Sequence, residues 1–121
     1  MYDIAHIAVV VKNIDKSKEF YQKVLGCEVE GDFEDDRLKF LYLKSGNGII
    51  ELLQYKEKDV ERSRGIIDHI AFTVEDLDKA IKRAKQYNAL FIFDEPKIVN
   101  SMKIIFIEGP DGERIEFIEN I

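Results

Sequence analysis

The chain has no tryptophan, one cysteine, two prolines and two histidines, and each shortage narrows what it can be. A lone cysteine cannot close an internal disulfide, so Cys27 is expected to be structural, and a reducing cytoplasm is the expected compartment. No run of eighteen or more apolar residues occurs, which leaves no stretch suited to span a bilayer as a helix. The opening Met1-Tyr2-Asp3-Ile4-Ala5-His6 has neither the basic start nor the apolar stretch of a signal peptide and reads as a strand. Basic residues are also in deficit. With a formal charge of −6, and lysines and arginines interleaved with acids, the surface does not suit phosphate backbones, so no nucleic-acid partner is expected. What remains, 45% hydrophobic and 35% charged, is the balance of an ordinary globular protein.

Self-similarity is the dominant feature. The segment from His6 reads HIAVVVKNIDKSKEFYQKVLG, and 63 positions later the segment from His69 reads HIAFTVEDLDKAIKRAKQYNA. Both contain His-Ile-Ala, a valine at the strand end, and Ile/Leu-Asp-Lys at the start of a helix. In the first half, a strand over 4–11 precedes a helix capped by Asn13 and closed by Gly26, with Ile14, Phe20 and Val24 as its buried stripe. Strands follow over 27–34, 38–44 and 48–55, with turns at Asp35-Asp36 and Ser45-Gly46-Asn47-Gly48. In the second half, Asp76 caps a helix over 77–87 whose apolar face is Leu77, Ala80, Ile81 and Ala84. Strands follow over 90–94, 103–108 and 113–119, the last after the turn Gly109-Pro110-Asp111-Gly112.

The order is βαβββ twice, an α+β arrangement. Module 1 covers about 1–55, a charged linker 56–65, and module 2 about 66–121. Half a chain of roughly 60 residues buries too little surface to stand alone, so a shared core and one domain over 1–121 are expected.

Four residues in this repeat suggest chemistry. His6 shares a strand face with Ala8, and His69 with Ala71, so a small side chain leaves room beside each imidazole. Glu51 in GIIELL and Glu116 in RIEFI lie in apolar strands, where a carboxylate is costly unless a charge or hydrogen bond compensates it. Each module thus has a histidine in its first strand and a glutamate in its last, 45 positions apart in one half and 47 in the other. Two imidazoles and two carboxylates suit a transition metal better than Mg or Ca. Glu108 and Glu119 read as solvated, and Phe40 and Tyr42 are expected to line a cavity if their strand faces as His6 does.

With these residues the chain resembles the vicinal oxygen chelate superfamily, in particular small bacterial glyoxalase I-like (lactoylglutathione lyase-like) proteins. The resemblance rests on HIAVVVKNIDKSKEFYQKVLG, IIELL, IDHIAFTVEDLDKA and GPDGERIEFIE, and covers nearly the whole chain. It implies the glyoxalase/bleomycin-resistance/dioxygenase fold, with the two modules forming one cupped mixed sheet with flanking helices, and one divalent metal (Ni, Co or Zn) on His6, Glu51, His69 and Glu116. The implied reaction is proton transfer through an enediolate on a small substrate with vicinal oxygens. Glu116 is the implied base and Glu51 the second candidate. Val10 and Gln54-Tyr55 stand where some members carry an arginine and an asparagine used on glutathione, which points away from glutathione as the thiol.

The resemblance also implies alternatives. A methylmalonyl-CoA epimerase-like enzyme is one, although such proteins usually carry glutamine at the first carboxylate and paired histidines where this chain has Asp68-His69. A non-catalytic, ligand-sequestering member is another, although those commonly lose the four ligands that this chain retains. Small members usually form homodimers, so a homodimer is expected, with the site in one chain or shared between two.

Overall fold

Each half of the chain begins with a strand whose β-branched residues alternate, then a helix whose cap is written in the sequence. In the computed structural model, residues 1, 3–57, 65, 67–99 and 101–121 are described. They fall into two compact units, Met1–Ser63 and Arg64–Ile121. Of the expected linker, only Lys56, Glu57 and Gly65 belong to the described residues.

In the first unit the order is β1 (Ile7–Val10), α1 (Ile14–Lys23), β2 (Glu28–Glu34), β3 (Leu38–Ser45) and β4 (Gly48–Tyr55). The sheet order is β1-β4-β3-β2, with β1 parallel to β4 and the other pairs antiparallel. The Asn13 side chain accepts the Lys16 N–H as the N-cap of α1, and Gly26 adopts φ +70 just beyond the helix. The buried stripe of α1 is Ile14, Ser17, Tyr21 and Val24; Phe20 is only half-buried. The expected stripe therefore erred at one position: Tyr21, a full two turns from Ile14, takes the core place.

Helix α1 packs on β3 and β4. On those strands Leu41 pairs with Leu52 and Leu43 with Ile50, and all four are buried. Since successive residues point to opposite faces, Tyr42 and Glu51, also a cross-strand pair, lie on the other face. Cys27 is buried, and that burial pushes its thiol above the ordinary range, in keeping with a packing role.

The second unit contains β5 (Ile70–Thr73), α2 (Leu77–Gln86), β6 (Leu90–Phe91), β7 (Lys97–Val99), β8 (Met102–Glu108) and β9 (Arg114–Asn120). The order β5-β9-β8-β6 repeats that of the first unit, and β7 adds to β8. Asp76 caps α2 as Asn13 caps α1. The strand expected over 90–94 is shorter, and a further strand, β7, follows Pro96. Proline cannot donate to a ladder, so the pairing breaks before it and resumes after it. Ile105, Ile107, Ile115 and Phe117 form the buried ladder beneath α2, leaving Phe106 and Glu116 on the opposite face.

The Gly109–Gly112 turn is tightly built. The Gly109 N–H donates to the Glu113 carbonyl, the Glu113 carboxylate accepts from Asp111 N–H, and Gly112 adopts φ +82. No helix among the described residues is long and apolar enough to cross a membrane.

Candidate functional site

The four candidate residues come together as two pairs, one in each unit. His6 Nε2 lies 3.4 Å from Glu51 Oε2, and His69 Nε2 lies 3.1 Å from Glu116 Oε1. Both glutamates are buried, at 8% exposure, whereas the imidazoles are more open, at 45% and 33%.

Strand register explains the pairing. Parallel to β4, Ala8 sits beside Glu51; parallel to β9, Ala71 sits beside Glu116. Each histidine is two residues before its alanine and therefore shares its face. The methyl side chain leaves the space through which the imidazole reaches the carboxylate. On the antiparallel side the neighbours are aromatic: Tyr42 opposite Glu51, and Phe106 opposite Glu116.

A buried carboxylate needs compensation, and among the described residues neither glutamate is paired with a lysine or arginine. Glu51 receives a hydrogen bond from the Tyr42 hydroxyl. Tyr42 is in turn raised above the usual phenol range, by desolvation first and then by the Glu51 charge and hydrogen bond. Of the two aromatics expected beside His6, Tyr42 thus reaches the site residue Glu51, while Phe40 rests against Phe33 with ring centroids 5.6 Å apart.

In the second unit, His69 Nδ1 is 2.8 Å from Asp68 Oδ2. An imidazole that donates Nδ1–H to that carboxylate presents its Nε2 lone pair to Glu116. Two acceptors at 3.1 Å repel unless a positive charge lies between them, either a proton on the ring or a metal ion. The donor set fits a divalent transition metal: neutral imidazole nitrogen, carboxylate oxygen, and an outer carboxylate that orients the ring. Among the described residues, no three His, Cys, Asp or Glu side chains gather as a metal-binding group.

One polar side chain in each unit ties its last strand to its helix. Gln54 stands on the face opposite Glu51, where its Oε1 accepts the Ile14 N–H at 2.7 Å. Glu119, expected to be solvated, is half-buried and accepts the Leu77 N–H at 2.8 Å in the equivalent place. Both satisfy a first-turn helix amide that has no intrahelical partner. Glu108 is half-buried as well. Asp68 escaped the sequence reading as a functional residue, although an acid directly before a strand histidine is a visible signal for it.

The Glyoxalase/Bleomycin resistance protein/Dioxygenase superfamily pattern matches residues 3–117, and the chain belongs to this superfamily. YwbC of Bacillus subtilis is 33% identical over 122 residues, covering 96% of each chain. The lactoylglutathione lyase of Neisseria meningitidis serogroup A is 28% identical over 123 residues, covering 96% of this chain and 89% of that one. Among solved structures, a glyoxylase/bleomycin resistance protein/dioxygenase domain from Frankia sp. EAN1pec matches with a TM-score of 0.86 at 19% identity, over 100% of this chain and 93% of the other. That likeness is one of fold, and it agrees with the α+β class expected from the repeat.

Proposed function

We propose that the protein is a metal-dependent lyase or isomerase of the glyoxalase I kind, moving a proton between adjacent carbons of a small substrate that bears vicinal oxygens. The observation that carries this reading is the repeated pair: a buried glutamate facing an imidazole at 3.4 Å in one half and at 3.1 Å in the other. His6, Glu51, His69 and Glu116 are the proposed ligands of one divalent metal, Ni, Co or Zn, within one chain or across a homodimer. When bound, the cation supplies positive charge that acidifies the substrate C–H and stabilises the charge left on its oxygens.

The remaining roles belong to the chain. Glu116 is the proposed base, taking a proton from one carbon and returning it to the next. Asp68 holds the His69 ring by its Nδ1. The apolar strand around each glutamate excludes water from the carboxylate, and Ala8 and Ala71 keep the approach open. Gln54 is engaged with α1 on the far face, so it takes no part in holding substrate. The lactoylglutathione lyase of Neisseria meningitidis supports the reaction class. A cytoplasmic, homodimeric protein belongs to the same proposal, which sedimentation velocity tests for the dimer.

The protein reconstituted with Ni, Co, Zn or Mn is assayed with the methylglyoxal–glutathione hemithioacetal, with Glu116→Gln as the control. Turnover with at least one metal, lost in the control by a factor on the order of a hundred or more, is the expected result. Absence of turnover by the wild type with all four metals removes the glyoxalase reading.

A further inference from the structure

We infer that Tyr42 is a positioning residue for Glu51, holding that carboxylate in one orientation while its counterpart Glu116 is left without such a restraint. Glu51 and Glu116 occupy matching places, each between an alanine on the parallel side and an aromatic on the antiparallel side. The aromatics differ by a hydroxyl. Tyr42 stands directly across from Glu51 on the same face, where its hydroxyl donates to the carboxylate in a charge-assisted bond that adds to the strand backbone in fixing the side chain. Phe106 has no donor and instead meets the His69 ring edge-on, centroids 5.1 Å apart.

On the histidine side the asymmetry reverses. Asp68 holds His69, whereas the residue before His6 is Ala5, which has no side-chain acceptor. Each half therefore fixes one of its two ligand-type groups: Glu51 in the first, His69 in the second. Of the two carboxylates, Glu116 is then the one that lacks an aromatic donor across the strand pair. This inference rests on the metal reading above, but adds a residue that the repeat does not duplicate.

The test is calorimetric titration of metal-free protein with Ni²⁺ or Zn²⁺, using wild type, Tyr42→Phe, Glu116→Gln and the double variant. Tyr42→Phe preserves the ring, and its thermal midpoint confirms folding. It is expected to weaken metal binding by about tenfold, the usual effect of removing an outer hydrogen bond to a ligand, and to do so equally in the Glu116→Gln background. In protein with ¹³Cζ-labelled tyrosine and no metal, Glu51→Gln is expected to move the Tyr42 resonance, and Glu116→Gln to leave it in place.

Unchanged affinity in Tyr42→Phe, with metal still bound by the wild type, overturns the inference and leaves the proposed function standing. A Tyr42 resonance indifferent to Glu51→Gln overturns it as well. A wild type that binds neither metal removes the metal reading and this inference together.

Discussion

The side chain of Gln54 accepts the backbone N–H of Ile14 at 2.7 Å, joining the end of β4 to the first turn of α1 across 40 positions of sequence. Glu119 does the same for Leu77 at 2.8 Å across 42 positions. Helix N-termini carry unpaired amides and partial positive charge, so an ionised acceptor is favoured there over a neutral one. Gln54→Ala is expected to lower stability by about 1 kcal/mol, and Glu119→Ala by about 1–2 kcal/mol, in urea unfolding near neutral pH. Equal, negligible losses in both would show that these bonds do not tie the strands to the helices.

Asp68 meets the site through His69, whose Nδ1 lies 2.8 Å from its Oδ2. Asp68→Asn keeps the shape but weakens the acceptor on Nδ1, and it is expected to reduce metal affinity about tenfold. Since the Asp68 side chain is exposed, the melting temperature should hardly move. A variant that binds metal as well as the wild type would mean that the ring needs no such partner.

The alanines beside the glutamates are predicted to matter by their size. Ala71→Leu places three more carbons next to Glu116, on the face that His69 uses. Turnover and metal affinity should both fall, by roughly tenfold or more, because a displacement of about 1 Å at a reacting group is enough for that. Ala71 is exposed, so unfolding free energy should change by less than about 0.5 kcal/mol. Loss of fold in this variant would assign the alanine to packing instead.

The Asp35 turn provides a pH signature. Its carboxylate accepts the N–H groups of Arg37 and Leu38, both at 2.8 Å, and these bonds hold its pKa below the ordinary aspartate value of 3.8. A carboxylate depressed in the folded state stabilises it above the unfolded pKa, and that contribution disappears as pH falls through the folded value. The stability advantage of wild type over Asp35→Ala should therefore be constant near pH 6 and shrink below about pH 4. Carboxyl NMR should find the Asp35 midpoint below 3.8.

In the Gly109–Gly112 turn, Gly112 holds φ +82, a conformation that costs an L side chain about 1–2 kcal/mol. Gly112→Ala is expected to lose that much stability. Gly109 is constrained differently: the Glu113 side chain folds directly over it, and an added methyl would collide with that chain. Gly109→Ala should displace the Glu113 carboxylate from Asp111 N–H, visible as faster amide exchange at Asp111.

Much of the fold was legible because its determinants are local. Asn13 and Asp76 announce their helices by a short side chain that caps the amide three residues on, and both do so. The strand 48–55 was read to the residue, bounded by glycine and by the end of its apolar run. The split of the strand expected over 90–94 into β6 and β7 was harder. Pro96 marks the break, but whether pairing resumes beyond it depends on β8, which lies later in the chain.

The histidine–glutamate pairs were legible for a different reason. Repetition turned two weak signals into one, and period-two alternation put each histidine on its alanine's face. Tyr42 was found only conditionally, because a one-residue slip would have turned it to the other side. Glu119 is not solvated as expected, and neither its role nor that of Gln54 is legible locally: three residues along a strand from Glu116 and Glu51 the face reverses, and nothing nearby in sequence shows that a helix amide waits there.

By itself, then, the amino-acid order determined the two-fold repeat, the capped helices, the glycine turns and the placing of a histidine and a glutamate on one face in each half. Those features depend on near neighbours and on periodicity. Only the tertiary structure decided that Tyr42 lies across from Glu51 but Phe106 from Glu116, and that Gln54 and Glu119 accept the first amides of their helices. Such relations depend on the register of strands brought together from distant parts of the chain, and register is set by the packing of a whole sheet face.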